Sequence, residues 1–100
     1  MVIVRNIFQI KFGKSKEAVS LFKEATAVAS RLGISQPHTR LLTDVTGDFY
    51  TLVFEHGCET LGEFEESSRK LMAHPEWQAI YGRILPLLDG GRREIMNLVQ

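Results

Sequence analysis

The hydrophobic residues of this chain recur with two different periods, and the first of these is typical of a β-strand. Apolar and polar residues alternate from Val2 to Phe12. Such alternation, rich in β-branched and aromatic residues, predicts a strand of about ten residues with two opposite rows of side chains. One row consists of Val4, Asn6, Phe8, Ile10 and Phe12. We expect this row to face the core, which places Asn6 as a single amide among apolar side chains.

A helical period follows, with a signal at each end. Ser15 comes directly after Gly13-Lys14 and is the expected N-cap. Gly33 is placed to end the helix in the left-handed conformation, and Pro37 prevents its continuation. The apolar face consists of Ala18, Leu21, Phe22, Ala25, Val28, Ala29 and Leu32. This spacing predicts one amphipathic helix.

Two further strands are predicted, over residues 39–45 and 49–56. The link between them, Thr46-Gly47-Asp48, is a hairpin signal because it joins two alternating runs through a short Gly-Asp connection. The second run is apolar or aromatic on both faces. A strand of that kind needs cover on both sides.

The second helical region is broken in two. Thr60 and Glu63 form a capping box that opens it, and the helix is expected to run to about Ala73. The pair His74-Pro75 then interrupts it, because the residue before a proline resists helical geometry. Pro75 suits the first turn of a new helix. This second half carries Trp77, Ile80, Tyr81, Ile84 and Leu88.

The order of the elements predicts the fold class. We expect Gly90-Gly91 to close the last helix and residues 92–99 to form a final strand. The order is then β-α-β-β-α-β, the ferredoxin-like arrangement of the α+β class. It implies a four-stranded antiparallel sheet with both helices on one face. One hundred residues correspond to a single domain, residues 1–100.

The other face of this sheet lacks a helix. It would carry Ile3, Ile7 and an apolar row of the central hairpin strand. Exposed apolar surface costs roughly 25 cal/mol per Å², so a second copy packed against this face would be stabilising. We therefore predict a homodimer formed through the sheet face. The alternative is a monomer with a polar back face, since Arg5 and Gln9 lie on the same side.

Charge, hydrophobicity and cysteine content indicate which partners and which cellular compartment to expect. The chain has 12 basic and 12 acidic residues and no basic stripe, so nucleic acid is not an expected partner. The apolar start, residues 1–4, is far too short for a membrane span, and no membrane association is predicted. Cys58 is the only cysteine, which predicts a reducing, cytoplasmic compartment.

Two groups of residues are candidates for chemistry. The first would form a pocket between helices and sheet and consists of Asn6, Tyr50, His74, Trp77 and Tyr81. Three of them have a structural alternative: a bonded strand amide for Asn6, a helix cap for His74 and a core aromatic for Trp77. The second group is His56 with Cys58, either a Cys/His nucleophile or an inert thiol. The three histidines show no metal-ligand spacing, so we predict no metal site and no cofactor.

The last third of the chain resembles a known family. The stretch His74-Pro75-Glu76-Trp77-Gln78-Ala79-Ile80-Tyr81, with Leu85-Pro86-Leu87-Leu88 and Gly91-Arg92-Arg93-Glu94-Ile95, is similar to the NIPSNAP-like branch of the dimeric α/β-barrel superfamily. The resemblance implies a homodimer with a pocket between helices and sheet. It implies no particular activity, because the branch has no agreed biochemical function.

The superfamily also includes cofactor-free monooxygenases of antibiotic biosynthesis and haem-degrading enzymes. Those members often place an asparagine on the first strand, as Asn6 is placed here, and add a tryptophan or histidine from the second helix. In this chain Phe64 and Lys70 occupy the places where that tryptophan is expected, and Tyr81 falls near the expected histidine. Three hypotheses follow from these residues. They are a protein that binds a small apolar or aromatic ligand, a monooxygenase that uses Asn6 with Trp77 or Tyr81, and a structural or interaction module without a pocket.

Overall fold

A computed structural model of the chain describes residues 1–34 and 36–100. The elements are β1 (Val2–Ile10), α1 (Ser15–Arg31), β2 (Arg40–Thr43), β3 (Thr51–Cys58), α2 (Leu61–Met72), α3 (Pro75–Ile84) and β4 (Leu88–Asn97), with a short 3₁₀ turn, Leu85–Leu87, before β4. The four strands form one antiparallel sheet in the order β2-β3-β1-β4. The predicted ferredoxin-like fold is confirmed, with the second helix divided into α2 and α3.

The strand β1 lies in the middle of the sheet, and its two faces differ as the alternation predicts. Val4 and Ile10 are fully buried on the side of the helices, and Asn6 is buried in the same row. We call this side the helix face and the opposite side the open face. The main core lies between the helix face, α1 and α3. Its buried members are Ile10, Ala18, Leu21, Phe22, Ala25, Val28, Leu52, Phe54, Ile80, Ile84 and Leu87.

The signals at the helix ends are confirmed in part. Gly33 has a φ of 74°, and the amide of Ile34 donates to the carbonyl of Ala29, as in a Schellman motif. Thr60 caps α2, because its hydroxyl accepts a hydrogen bond from the amide of Glu63 at 3.1 Å. The prediction for Ser15 is wrong. Lys14 is the N-cap of α1, no side chain caps it, and Ser15 is already helical.

Two predictions about the ends of strands are also wrong. Phe12 is 73% exposed, because β1 ends at Ile10 and the alternation no longer fixes where later side chains point. Gly90-Gly91 do not close a helix. They lie within β4, opposite Gln9 and Phe8 of β1, so the last strand begins at Leu88. The 3₁₀ turn that contains Pro86 ends the helical region instead.

Gly91 has a packing reason to be glycine. A Cβ atom on Gly91 would lie 2.8 Å from Cδ1 of Phe8 and 3.3 Å from the carbonyl oxygen of Ile7. A separation below 3.0 Å forces something to move, and Phe8 packs against the main core. A Cβ atom on the neighbouring Gly90 meets nothing within 4 Å. The ring of Phe8 therefore uses the space that the missing side chain of Gly91 leaves.

We predict that Gly91→Ala lowers the free energy of unfolding by about 1–3 kcal/mol, the usual range for overpacking. Gly90→Ala is the matched control, because it introduces the same methyl group into open space. Urea denaturation of both variants checks the prediction. Equal midpoints for the two variants would show that the contact with Phe8 does not limit this position.

Candidate functional site

The helix face has one polar patch, and Asn6 is at its centre. Asn6 is 8% exposed and lies between Phe54 of β3 and Arg93 of β4 in the sheet. Its side-chain carbonyl accepts a hydrogen bond of 2.7 Å from Nε of Arg93. Its amide nitrogen donates to the carbonyl of Phe54 at 3.4 Å, which is long for a hydrogen bond. An amide nitrogen carries two hydrogens, so half of its donor capacity has no partner among the described residues.

Arg93 is the cation of this patch. It is an exposed residue of the edge strand β4, and its guanidinium carbon lies 5.1 Å from the ring centre of Phe64 on α2. Among residues 1–34 and 36–100, no carboxylate lies within 4.0 Å of this guanidinium. Nε is occupied by Asn6, which leaves both terminal nitrogens of Arg93 for another acceptor. A guanidinium held in this way can bind a carboxylate in a bidentate manner.

His56 lies on the helix face opposite Val4, two positions along β3 from the partner of Asn6, and is buried. Its ring lies between two aromatic rings, with centres 5.7 Å from Phe54 and 5.8 Å from Phe64. Burial lowers the pKa of His56 below its ordinary value, and the charge of Arg93 lowers it further. The imidazole is therefore neutral at pH 7, with one nitrogen that donates and one that accepts.

Cys58 ends β3, two residues after His56. Its sulfur is 3.9 Å from Nδ1 of His56, and the side chain is buried. Burial raises the pKa of the Cys58 thiol, and the charge of Glu63 raises it further. A nucleophilic cysteine needs a lowered pKa, so the geometry supports the inert thiol rather than the Cys/His nucleophile. We call Asn6, His56, Cys58, Phe64 and Arg93 together the Asn6 cluster.

Of the other predicted pocket residues, two lie against the main core. Trp77 on α3 is half-buried and packs against this core. Tyr50 also contacts the core and stacks on Phe12 with ring centres 4.9 Å apart. It directly precedes β3, and its carbonyl accepts a hydrogen bond from the amide of Ile10, at the opposite end of β3 from Cys58. Phe54, the partner of Asn6, comes four positions after Tyr50, a distance of about 13 Å along a strand.

The remaining two residues belong to the region of α3. His74 is the N-cap of α3, but its side chain makes no capping hydrogen bond, and Nδ1 is buried without a partner among the described residues. Tyr81 is exposed on the surface of α3. No hydrogen bond among the described residues joins Asn6, Tyr50, His74, Trp77 and Tyr81 to one another. A single pocket lined by all five stays a prediction.

Sequence reasoning missed the role of Arg93 and the position of Phe64 over the histidine. Arg93 was expected in the last strand, but its face could not be assigned, because β4 begins four residues earlier than the sequence indicates. The helical spacing predicts a buried Phe64 on the second helix, and the family resemblance marks the same residue, but neither places its ring beside the histidine. The neutral character of His56 depends on burial between two rings that are distant in sequence. The signal that could have identified this site was Asn6 alone, in its apolar row.

Metal sites, membrane-spanning helices and surface clefts were also considered for the described residues. No group of three His, Cys, Asp or Glu side chains within residues 1–34 and 36–100 could hold a metal ion. None of the helices in the described part of the chain is long and apolar enough to cross a membrane. Two surface clefts lie away from the Asn6 cluster. One, of about 370 Å³, is on the open face, and the other, of about 490 Å³, lies between the end of α1 and the segment before β2.

Comparison with known proteins gives the fold a context. No protein-family model matches the chain, and no curated protein matches it. Among solved structures, a NIPSNAP domain protein from Burkholderia xenovorans is 20% identical, with a TM-score of 0.83 over 99% of this chain and 95% of that one. A NIPSNAP family protein from Agrobacterium tumefaciens is 22% identical, with a TM-score of 0.86 over 99% of this chain and 93% of that one.

A second group of similar structures has a named activity. A crystal structure described as an antibiotic biosynthesis monooxygenase is 17% identical, with a TM-score of 0.75 over the whole of both chains. At these identities a structural likeness establishes the fold and not the chemistry. The resemblance that the sequence indicates is therefore confirmed at the level of structure. The chain has the fold of the NIPSNAP structures, which have no established function, and more distantly that of the antibiotic biosynthesis monooxygenases.

Proposed function

We propose that this chain is a small-molecule-binding protein that acts as a homodimer, with its ligand held at the Asn6 cluster between α2 and the strands β1 and β4. One observation carries the proposal. A buried amide in an apolar row is bonded to an arginine whose terminal nitrogens have no carboxylate within the described part of the chain. A buried polar group without full hydrogen bonding is unfavourable, and a ligand would satisfy it.

The chemistry of the cluster favours a planar ligand with one anionic oxygen group. The terminal nitrogens of Arg93 would bind a carboxylate. The ring of Phe64, which borders the cluster from α2, would cover part of a flat apolar body, since aromatic side chains stack well on such surfaces. His56 is neutral, so it adds a hydrogen bond without adding a second positive charge. An aromatic carboxylate has all of these features.

Access to the cluster would depend on α2. Only Phe64 and Leu71 of its 12 residues are buried, whereas α1 buries six side chains. An element that buries few apolar contacts opens at a low free energy relative to the rest of a domain. Movement of α2 would expose the space above Asn6 while the sheet, α1 and α3 stay in place.

The open face supports the homodimer. Leu42 and Met96 are large hydrophobic residues exposed on this side, and Ile3, Ile7 and Val53 lie between them, half-buried. Burial of such a face against a second copy would remove this apolar area from water. We also infer a cytoplasmic location, since the one cysteine is free and buried.

The ligand site can be tested with salicylate and naphthoate as probes. We predict that they raise the melting temperature of the wild type, and that Arg93→Gln and Asn6→Ala weaken binding roughly tenfold or more, as the loss of a charged hydrogen bond does. Arg92→Gln is the matched control. Arg92 is the adjacent arginine of β4, and it points to the open face, where it pairs with Glu94. Isothermal titration calorimetry gives the affinities.

Each outcome of this test is decisive for the site. Equal affinity of Arg93→Gln and the wild type would place the ligand elsewhere. Failure of both probes to stabilise the wild type would contradict an anionic aromatic ligand. Oxygen uptake during incubation with a bound probe would make the site catalytic, as the monooxygenase hypothesis requires.

The lowered pKa of His56 predicts a specific pH dependence of stability. Between the unfolded pKa of about 6.5 and the lower folded value, the unfolded chain binds a proton that the folded chain does not. The contribution of neutral His56 to the free energy of unfolding is therefore fully present above that range. It is lost as the pH drops through the range, by at most about 1.4 kcal/mol per pH unit. Urea denaturation from pH 7.5 to pH 5 measures the slope.

His56→Gln should reduce this slope, whereas His38→Gln, which changes an exposed histidine, should leave it as in the wild type. An unchanged slope in His56→Gln would show that other groups control the acid sensitivity.

The homodimer can be tested by a substitution on the open face. We predict that the wild type is a dimer in light scattering and that Val53→Glu is a folded monomer, because the new carboxylate would be buried between two apolar faces. Leu61→Glu is the control, since Leu61 is an exposed apolar residue of α2, away from the open face. A wild type that is monomeric at high micromolar concentration would contradict the proposed dimer.

A further inference from the structure

His56 is a buried titratable residue that has a side-chain partner at only one of its two ring nitrogens. It is 5% exposed, and its ring lies between Phe54 and Phe64. Among residues 1–34 and 36–100, the only side chain within hydrogen-bonding range of the ring is Cys58, whose sulfur is 3.9 Å from Nδ1. Nε2 has no side-chain partner in this part of the chain. A buried polar atom of this kind needs an explanation.

Strand register places His56 beside the two other polar groups of the candidate site. Asn6 lies between Phe54 of β3 and Arg93 of β4, and His56 comes two positions after Phe54 on the same face. Two residues advance a strand by roughly 7 Å, and neighbouring strands are about 4.8 Å apart. The His56 ring centre and the guanidinium carbon of Arg93 lie 5.8 Å and 5.1 Å from the ring centre of Phe64. Asn6, His56 and Arg93 therefore border one region beneath α2.

The three polar groups offer a ligand three different contacts. The terminal nitrogens of Arg93 are charged donors, which suit a carboxylate. The amide nitrogen of Asn6 has one hydrogen without a partner among the described residues, which suits a carbonyl oxygen. When Nδ1 of His56 carries the ring hydrogen, Nε2 is an acceptor of protons. The order from β4 through β1 to β3 is thus an anion site, a carbonyl site and a base.

A 2-oxo acid has three parts in this same order. Its carboxylate is bonded directly to a ketone, and the ketone is bonded to a carbon whose hydrogens are acidic, because the charge left by a lost proton moves to the ketone oxygen. An aromatic ring on that carbon supplies the flat apolar body that the candidate site favours. The chemical class that matches the site is therefore an aryl 2-oxo acid such as phenylpyruvate.

We propose that this chain catalyses the keto–enol tautomerisation of aryl 2-oxo acids, with His56 as the base. The proposal rests on the proposed ligand site and names its substrate class and its reaction. Arg93 binds the carboxylate, and Asn6 donates its free amide hydrogen to the ketone oxygen. His56 takes a proton from the carbon next to the ketone.

The reaction needs no oxidant, reductant or second substrate. Nε2 of His56 removes a proton from carbon 3, and the electron pair of that C–H bond becomes the double bond between carbons 2 and 3. The π electrons of the ketone move to its oxygen, where the amide hydrogen of Asn6 stabilises the negative charge. The imidazolium then gives a proton to this oxygen, which forms the enol. The reverse sequence in D₂O leaves deuterium on carbon 3, because the imidazolium hydrogen exchanges with the solvent.

The charged and titratable groups around His56 are compatible with this role. Burial and the charge of Arg93 lower the pKa of His56, so the free imidazole is unprotonated at pH 7 and available as a base. A carboxylate bound to Arg93 would offset that charge and thereby stabilise the imidazolium that forms during the reaction. Burial and the charge of Glu63 on α2 raise the pKa of Cys58, so this residue remains a thiol and does not compete for the proton.

Deuterium exchange tests the proposal on the whole chain. Proton NMR in D₂O follows the loss of the carbon 3 signal of phenylpyruvate with and without the protein. We expect the wild type to accelerate this loss. We expect His56→Gln to lower kcat roughly 100-fold or more with little change in KM, as the removal of a base does. His38→Gln changes an exposed histidine and should keep the wild-type rate. Circular dichroism checks that each variant folds.

Two further measurements link the exchange to the candidate site. Arg93→Gln should raise KM for phenylpyruvate roughly tenfold or more, since it removes the charged partner of the carboxylate. Salicylate should inhibit the exchange competitively. The inhibition uses only the wild type, so it keeps the test valid if His56→Gln fails to fold. Exchange that salicylate does not inhibit would overturn the assignment of the reaction to this site.

Failure of the activity can be told apart from failure of the ligand site. A wild type that binds phenylpyruvate in calorimetry without accelerating exchange would overturn the activity and leave the proposed ligand site intact. A wild-type kcat in His56→Gln would overturn the role of His56. If neither phenylpyruvate nor salicylate binds the wild type, the proposed ligand site is itself wrong.

Discussion

The structure depends on one constraint: the central strand β1 needs cover on both faces, and the chain has helices for only one. Val4 and Ile10 are fully buried on the helix face, beneath α1 and α3. On the open face, the same strand carries Ile3 and Ile7 beside Arg5. A domain of this size buries a smaller fraction of its surface than a larger one does, so an uncovered sheet face is a large part of its surface. The open face carries a row of alternating charges, which we call the ladder and which consists of Arg40, Glu55, Arg5 and Glu94.

Glu55 is a buried carboxylate on the open face, and two arginines neutralise its charge. A buried carboxylate without partners would be strongly unfavourable. Glu55 is flanked in register by Arg5 and Arg40, and both cations reach it. The charge is thereby shielded without a helix above it. A polar row of this kind also limits how the face can associate, whereas a uniformly apolar face would accept many orientations.

The sequence predicts some elements of this fold correctly and others incorrectly. The alternation in β1, the capping Thr60 and the glycine at the end of α1 are local signals, and the structure confirms them. Asn6 was identified because it interrupts an apolar row. The errors at Ser15, Phe12 and Gly90-Gly91 all concern where an element ends, which depends on tertiary contacts. Gly91 lies in β4 opposite Phe8, whose ring leaves no room for a Cβ atom there, and nothing local in the sequence reveals that contact.

The ladder and the Asn6 cluster could not be predicted, because both depend on register between strands that are distant in sequence. Arg93 meets Asn6 across 87 positions, and Arg5 meets Glu55 across 50. A shift of one residue in β4 would turn Arg93 to the open face and Glu94 to the helix face. The composition would be the same, but Asn6 would lose its hydrogen bond with Arg93, and the ladder would lose Glu94.

The two sites are therefore coupled through the backbone that they share. Along β1, β3 and β4, each ladder residue is followed or preceded by a residue that surrounds the candidate site: Arg5 by Asn6, Glu55 by Phe54, and Glu94 by Arg93. Ion pairs that fix the register on the open face fix at the same time which side chains meet on the helix face. In this fold the open face is also the support on which the candidate site is built.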